Sequence, residues 1–233
     1  MKKKLLAIPL IILSILLLDV ILFIVDYYHA TDDVKNYMNK EGDVKVAEIS
    51  EGLFIDGPGT EGALIFYPGA RVEYTSYLPL LYKVAEGGID CFLVEMPVNV
   101  SLLNQDAADD IIENYDYEKW YLGGHSLGGV SASMYAANHE LDGMVFLASY
   151  PFKPIDEPAL EMYGSNDKIL KEKKRSKSDV NLSDDSVIEV IEGGNHAQFG
   201  NYGKQRGDGE ASISRDKQQE ITAQRILEFL DNK

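Results

Sequence analysis

A run of glycines around a single serine, at residues 123–129, constrains the fold of this chain more than any other feature. The run reads Gly-Gly-His-Ser-Leu-Gly-Gly. Residues 119–122 before it have the character of a strand, and the small residues 130–137 after it are typical of a helix. A turn that joins a strand directly to a helix leaves no room for side chains at positions 124 and 128, and it strains the backbone of the serine. The sequence therefore predicts a tight strand-turn-helix unit here.

The rest of the chain repeats this alternation of strand and helix patterns. Helices are predicted at 77–86, 106–115, 127–139 and 216–230. Strands are predicted at 44–49, 52–55, 63–67, 89–95, 119–122, 144–148, 159–163 and 187–191. Such alternation is typical of a parallel sheet with helices on both faces. We predict an α/β fold with a mostly parallel, twisted sheet of about seven or eight strands, an antiparallel start formed by the first two, and no separate lid.

Length and charge limit the domain count and the partners. The chain has 233 residues, enough for one such domain at residues 44–233. Its net charge of −16 disfavours binding to nucleic acid. A single cysteine excludes an intrachain disulfide and a cysteine-rich zinc site.

The N-terminal segment is apolar over residues 5–25, and a helix of that length covers about the 30 Å of a bilayer core. Lysines precede it and acidic residues follow it at 26–33, which predicts a cytoplasmic N-terminus and a domain on the extracytoplasmic side. We therefore predict a transmembrane signal anchor at residues 1–25, a polar stalk at 26–43 and a single-pass protein of the cell membrane. Cleavage of the segment as a signal peptide, giving a secreted domain, is the alternative.

The serine of the glycine run, Ser126, stands in a G-x-S-x-G pattern between a strand and a helix, which is the setting of a nucleophile elbow. Serine is a weak nucleophile at neutral pH and needs a base within hydrogen-bonding distance. The predicted base is His196, in the loop after the last predicted strand. The other histidines fit this role less well: His29 is beside the apolar segment, His125 is expected to face away from the serine, and His139 ends the following helix.

The acid that orients this base is predicted to be Asp167. A neutral imidazole needs a carboxylate to fix its tautomer and to stabilise the imidazolium that forms. The chain order serine, acid, histidine puts that carboxylate between residues 126 and 196, and Asp167 lies in the turn after the strand at 159–163. The carboxylates that fit less well are those of Asp142, Asp156 and Asp184, which follow no core strand directly, and that of Glu95, which ends an earlier strand and is kept as an alternative.

Backbone N–H groups are predicted to form an oxyanion hole, which holds the negative charge of a tetrahedral intermediate. One donor is the N–H of Leu127, directly after the serine. The other is the N–H of Ala70 or Arg71, in the loop after the third strand. Because backbone groups do this work, the side chain of Arg71 is expected to have no direct part.

A basic stretch interrupts the otherwise acidic domain at residues 168–179. Its charges come from Lys168, Lys171, Lys173, Lys174, Arg175 and Lys177. This pattern favours a solvated helical face, and an anion-binding patch is the alternative.

Four stretches of the sequence together resemble the bacterial α/β-hydrolase fold-5 family, relatives of the dienelactone hydrolases. They read ALIFYPGARVEYTSYLPLLYKVAEGGIDCFLVEMP, WYLGGHSLGGVSASMYA, MYGSND and IEGGNHAQFGNYGKQRGDGEASISRDKQQ. The likeness extends from about residue 44 onward. It implies a minimal α/β-hydrolase with Ser126, Asp167 and His196 in the positions of a catalytic triad. Where many relatives have a second glycine in the oxyanion loop, this chain has Ala70, which keeps the backbone donor.

These residues predict hydrolysis of a small-molecule carboxylic ester or related acyl compound through an acyl-enzyme on Ser126, with no metal and no cofactor. Two alternatives stay open. The same three residues could transfer the acyl group to another acceptor, or the chain could be a non-catalytic scaffold of the same fold. The sequence gives no prediction of the oligomeric state.

Overall fold

The computed structural model describes residues 2–231, with side chains from residue 13 onward. Within this part of the chain, eight strands form one sheet. They are β1 (Lys45–Ile49), β2 (Gly52–Asp56), β3 (Gly62–Tyr67), β4 (Asp90–Val94), β5 (Lys119–His125), β6 (Gly143–Leu147), β7 (Ala159–Gly164) and β8 (Val187–Ile191). The predicted number of strands is confirmed.

The strand order in the sheet is β1-β2-β4-β3-β5-β6-β7-β8. Neighbours from β4 through to β8 pair in parallel, whereas β1 pairs antiparallel with β2 and β2 pairs antiparallel with β4. The mostly parallel sheet with an antiparallel start is therefore confirmed. Because β3 and β5 are adjacent at its centre, the loops that follow them meet in the middle of one edge.

Helices cover both faces of this sheet. The α-helices of the described chain are α1 (Lys2–Val25), α2 (Lys35–Met38), α3 (Leu78–Glu86), α4 (Ala107–Asn114), α5 (Leu127–Ala136), α6 (Glu172–Ser178) and α7 (Arg215–Leu230), of which α3 to α5 and α7 form the two layers over the sheet. One apolar core lies between the sheet and α3 with α7, where Leu81 and Ile226 are fully buried. The other lies between the sheet and α4 with α5, where Ile111 and Ala132 are fully buried. Burial on both faces explains why the inner parallel strands β3, β4 and β6 are almost continuously apolar.

The parallel strands bring distant parts of the chain to one edge of the sheet. Residues 68–71 follow β3, Ser126 follows β5, Asp167 follows β7 and His196 follows β8. The carboxyl ends of parallel strands share an edge, and ligands of open α/β sheets bind there. This topology gathers the residues singled out from the sequence.

Helix α1 covers the apolar N-terminal segment and ends at Val25. Within the described part of the chain, none of the helices combines the length and the apolar character needed to cross a membrane. The membrane-spanning helix predicted at residues 5–25 is therefore not supported by the structure. Residues 5–12 of that prediction lie outside the described side chains.

Residues 26–43, which the sequence predicts to be a polar stalk, lie along the domain. Tyr28 pairs in parallel with the loop after β3, and its N–H donates to the carbonyl of Arg71 at 2.7 Å. Val34 is buried, and Tyr37 packs against the core beneath α3. This segment carries enough apolar and hydrogen-bonding groups to dock on the domain, and it contacts the loop that holds the predicted oxyanion donors.

Candidate active site

The serine of the glycine run stands at a sharp turn between β5 and α5. Ser126 has φ 53° and ψ −120°, a conformation that residues other than glycine rarely adopt. A Cβ atom on Gly124 would lie 2.5 Å from the carbonyl carbon of Gly128, and one on Gly128 would overlap the carbonyl oxygen of Tyr67. The strained turn therefore depends on both glycines. It holds Ser126 at the edge where β5 ends.

The carboxylate of Asp167 and the ring of His196 form a buried pair. Asp167 Oδ2 lies 2.8 Å from His196 Nδ1, and both side chains are at most 2% exposed. The second carboxylate oxygen, Oδ1, accepts the backbone N–H groups of Ile169 and Leu170, each at 2.8 Å. The turn after β7 thereby fixes the carboxylate, and the carboxylate fixes the imidazole. Glu95, the alternative acid, is exposed, and the carboxylate paired with His196 is that of Asp167.

This pair determines which nitrogen of His196 is available for chemistry. Nδ1 donates its proton to the carboxylate, so Nε2 carries the free lone pair. Nε2 is buried and has no hydrogen-bond partner among the described residues. His196 and Ser126 line the same cavity. No hydrogen bond joins the serine hydroxyl to Nε2 here, and catalytic hydrogen bonds of this kind often form only when substrate binds.

The loop after β3 leaves one backbone donor free. The N–H of Arg71 donates to the carbonyl of Asn99 at 2.8 Å and is already used. The N–H of Ala70 has no partner among the residues that the structure describes. Leu127 is the first residue of α5, where N–H groups have no acceptor within the helix. Of the two predicted alternatives, the geometry favours Ala70 beside Leu127 and leaves Arg71 out.

The side chain of Arg71 has a structural contact instead. Its guanidinium donates to the backbone carbonyl and the carboxylate of Asp26, and it lies over the ring of Phe23. The residue also has φ 58°, so the backbone turns sharply there. The end of α1 is thus attached to the loop that carries Ala70.

The other histidines lie outside the acid-base pair. His29 lies beside Glu73, with Nδ1 3.4 Å from the carboxylate, and His139 stacks on the ring of Tyr135. His125, which the sequence predicts to face away from the serine, lies within the site beside His196. Its ring is fully buried, 4.6 Å from the ring of His196 between centroids.

His125 connects three loops through hydrogen bonds whose directions can be assigned. The carbonyl of His196 can only accept, so His125 Nε2, at 3.1 Å, carries the proton. His125 Nδ1 therefore accepts from the hydroxyl of Tyr77 at 2.8 Å. The oxygen of Tyr77 in turn accepts the N–H of Gly69 at 3.1 Å. Burial keeps His125 neutral by holding its pKa well below the usual value. The chain of bonds joins the oxyanion loop, the elbow and the base loop.

Asp208 is a second supporting residue, and the sequence by itself does not define its role. Its Oδ2 accepts the N–H of Ala197, next to the base, at 2.9 Å. Its Oδ1 accepts the N–H of Lys168, next to the acid, at 3.3 Å. Asp208 therefore ties the acid turn to the base loop. An aspartate between two glycines, at 207–209, is the only local signal of this role, because both partners are distant in sequence.

The cavity beside Ser126 has a volume of about 220 Å³. Its apolar wall comes from Val130, Ala148 and Leu170, among others, and two lysines of the basic stretch complete it. Within residues 13–231, no three His, Cys, Asp or Glu side chains are arranged to hold a metal ion. The site thus combines a serine, an oriented imidazole and the first residue of α5 around a small cavity, and the loop that carries Ala70 lies at the same edge of the sheet.

Comparisons with known proteins agree with this architecture. Residues 63–220 match the sequence profile of the alpha/beta hydrolase family. Among curated proteins, none matches the sequence. Similar solved structures include carboxylesterase CesB from Bacillus subtilis (13% identity, TM-score 0.61, covering 87% of this chain and 96% of that one). Others are a dienelactone hydrolase from Anabaena variabilis (14%, 0.59, 78% and 97%) and a monoacylglycerol lipase from Paleococcus ferrophilus (15%, 0.59, 80% and 99%).

At these identities the structural likeness shows the fold alone. The profile match is stronger support, because it covers more than half of the 233 residues, including Ser126, Asp167 and His196. The resemblance noted in the sequence is confirmed. The chain belongs to the alpha/beta hydrolase family.

Proposed function

We propose that this protein is a serine hydrolase that cleaves a carboxylic ester or a related acyl bond through an acyl-enzyme on Ser126. One observation carries the proposal: His196 is oriented by Asp167, its Nε2 has no hydrogen-bond partner among the described residues, and it lines the same cavity as Ser126. Membership of the alpha/beta hydrolase family supports it.

The first step forms the acyl-enzyme. The Oγ of Ser126 attacks the carbonyl carbon of the substrate while its proton moves to His196 Nε2, and the carboxylate of Asp167 stabilises the imidazolium. The carbonyl oxygen becomes an oxyanion and accepts the N–H groups of Ala70 and Leu127. Such a preorganised donor contributes about 10²- to 10³-fold to turnover. The bond to the leaving alcohol then breaks, and the alcohol oxygen takes the proton from Nε2.

The second step releases the acid. A water molecule gives a proton to His196 Nε2 and attacks the acyl carbon, and a second oxyanion forms at the same two N–H groups. The bond from the acyl carbon to Ser126 Oγ breaks, and the serine oxygen recovers its proton from Nε2. The carboxylic acid leaves, and the site returns to its starting state.

A fluorophosphonate probe tests the nucleophile directly, because the serine oxygen displaces fluoride from phosphorus and stays bonded to it. We expect one label on the full-length protein and none on Ser126→Ala. Ser149→Ala is the matched control: Ser149 lines the same cavity, but its hydroxyl donates to the carbonyl of Ser126 at 2.7 Å, so labelling should persist. A folded wild-type protein that resists the probe, or a label that moves to Ser149, would contradict the proposal.

Ester turnover separates the proposed hydrolase from the alternatives. A non-catalytic scaffold predicts that His196→Ala leaves p-nitrophenyl acetate turnover unchanged, whereas the proposed mechanism predicts its loss. Acyl transfer predicts that added alcohol acceptors yield new esters at the expense of free acid. The cellular location expected from residues 1–33 stays a prediction.

A further inference from the structure

The cavity beside Ser126 is positively charged, in a chain with a net charge of −16. Lys171 and Lys174 line it together with Ser126 and His196, and no Asp or Glu is among its lining residues. Of the basic stretch that the sequence assigns to a solvated helical face, two lysines therefore stand at the candidate active site. Their position makes the alternative, an anion-binding patch, worth testing.

A neighbouring cavity shows that this charge is not a general property of the molecule. It has a volume of about 270 Å³ and lies behind the base loop. Its lining includes Lys204 and Arg215, but also the carboxylates of Asp208 and Glu210. Lys204 pairs with Glu210 at 2.7 Å. Carboxylates therefore balance the positive charges of that cavity, whereas no carboxylate lines the cavity that Lys171 and Lys174 share with Ser126.

The hydrogen bonds around α6 explain why these lysines keep their charge uncompensated. Arg175 takes up the nearby carboxylates, with contacts to Glu161, Glu172 and Asp179 at 3.1–3.2 Å. The ammonium of Lys171 donates to a neutral backbone carbonyl. That of Lys174 has no carboxylate partner among the described residues. Two exposed ammonium groups are thus available to a ligand.

We infer that the preferred substrates are short esters that carry an anionic group, a carboxylate or a phosphate, close to the scissile bond. This inference rests on the proposed function and names its substrate class. The cavity, at about 220 Å³, is smaller than the roughly 300–1,000 Å³ of sites for larger ligands, which favours short substrates. The apolar wall contacts the carbon chain, while Lys171 and Lys174 attract the charge.

The expected preference follows from the exposure of the two lysines. An anion near exposed ammonium groups gains a modest Coulomb energy. We expect about a tenfold higher kcat/KM for an anionic ester than for its neutral counterpart, which corresponds to about 1.4 kcal/mol. The preference should shrink from low salt to 1 M salt, where the screening length falls to about 3 Å.

The test compares matched esters on the full-length protein. On the acyl side, the p-nitrophenyl monoester of adipic acid is compared with the same ester whose free carboxylate is capped as a methyl ester. On the alcohol side, 4-acetoxybenzoate and 4-acetoxyphenyl phosphate are compared with methyl 4-acetoxybenzoate. A preference for any anionic member supports the inference and shows which side and which anion the site takes. Equal or lower kcat/KM for all anionic members overturns it.

Reversing the charge of single lysines on α6 tests which residues cause the preference for anionic esters. Lys174→Glu should lose or invert it, measured as the ratio of kcat/KM between an anionic ester and its neutral counterpart. Lys173→Glu is the matched control, because it makes the same change of charge on the same exposed helix but does not line the cavity. An equal loss of the preference in Lys174→Glu and Lys173→Glu would show that the overall charge of the protein causes it, and would refute the anion site in the cavity. Turnover of the neutral esters by the wild-type protein and by Lys173→Glu shows separately that the proposed hydrolase function holds.

Discussion

A buried carboxylate behind α6 gives a prediction whose size can be worked from the structure. Glu161 lies in β7 with a fully buried side chain. Its Oε1 accepts from Arg175 at 3.2 Å, and its Oε2 is buried without a hydrogen-bond partner among the described residues. Burial raises the pKa of Glu161 from 4.5 to about 7, since the nearby guanidinium offsets only part of the loss of water. We predict that Glu161→Gln stabilises the protein relative to the wild type, and that this gain in the free energy of unfolding is larger at neutral pH than at pH 5.

The direction follows from where the proton binds. Below pH 4.5, Glu161 is protonated in the folded and the unfolded chain and costs no stability. Between pH 4.5 and 7 only the unfolded chain releases the proton, so the free energy of unfolding falls as the pH rises. Above pH 7 the folded chain carries the full cost, about 3 kcal/mol. Glutamine cannot ionise, so the variant does not lose stability as the pH rises through this range. Its side-chain oxygen can still accept a hydrogen bond from Arg175.

Urea unfolding followed by circular dichroism at pH 5, 6, 7 and 8 measures the effect. The difference in unfolding free energy between Glu161→Gln and the wild type should grow in favour of the variant by about 2 to 3 kcal/mol from pH 5 to pH 8. Glu172→Gln is the control, since Glu172 binds the same arginine but its side chain is 68% exposed. A difference that stays constant with pH, or an equal pH dependence in the control, would refute the reasoning.

Four further predictions concern the candidate active site. Asp167→Asn should keep the fold by circular dichroism and lower kcat for p-nitrophenyl esters by about 10³- to 10⁴-fold, because the amide no longer fixes the tautomer of His196. Ala70→Pro should lower kcat by about 10²- to 10³-fold, since it removes the free N–H, whereas Ala70→Gly keeps that donor and should lose far less; equal kcat in the two variants would exclude Ala70 as a donor. His125→Phe leaves the Tyr77 hydroxyl without its acceptor, so it should lower the free energy of unfolding in urea by about 1–3 kcal/mol and should also lower kcat. A kcat and a stability equal to those of the wild type would show that the hydrogen bonds of His125 do not position the loops. A chain that starts at residue 35 loses the two backbone hydrogen bonds of Tyr28, each contributing about 1 kcal/mol, and should unfold at lower urea than a chain that starts at residue 26; equal midpoints would show that the docked segment contributes no stability.

Local sequence patterns predicted the fold because the constraints that define it are local. The predicted runs matched all eight strands to within a few residues. The inner strands β3, β4 and β6 are buried throughout, and a strand buried on both faces needs a continuous run of apolar side chains. The elbow was predictable from Gly124 and Gly128, because any side chain there collides with backbone only a few residues away or in the adjacent strand. Ser126, Asp167 and His196 each follow a predicted parallel strand, and the carboxyl ends of parallel strands lie at one edge of the sheet.

The sequence alone could not decide which groups around that edge are free. Ala70 and Arg71 are adjacent, and the sequence does not distinguish which of their N–H groups is an oxyanion donor. In the fold, the N–H of Arg71 donates to the carbonyl of Asn99, nearly thirty residues later, and so is not free. The position of Lys174 at the cavity follows from how α6 packs through Arg175 against β7. Hydrogen bonds and charge pairs between distant segments set these outcomes. The residue types determined what chemistry is possible at this edge, and the tertiary contacts decided which donors and charges are left to perform it.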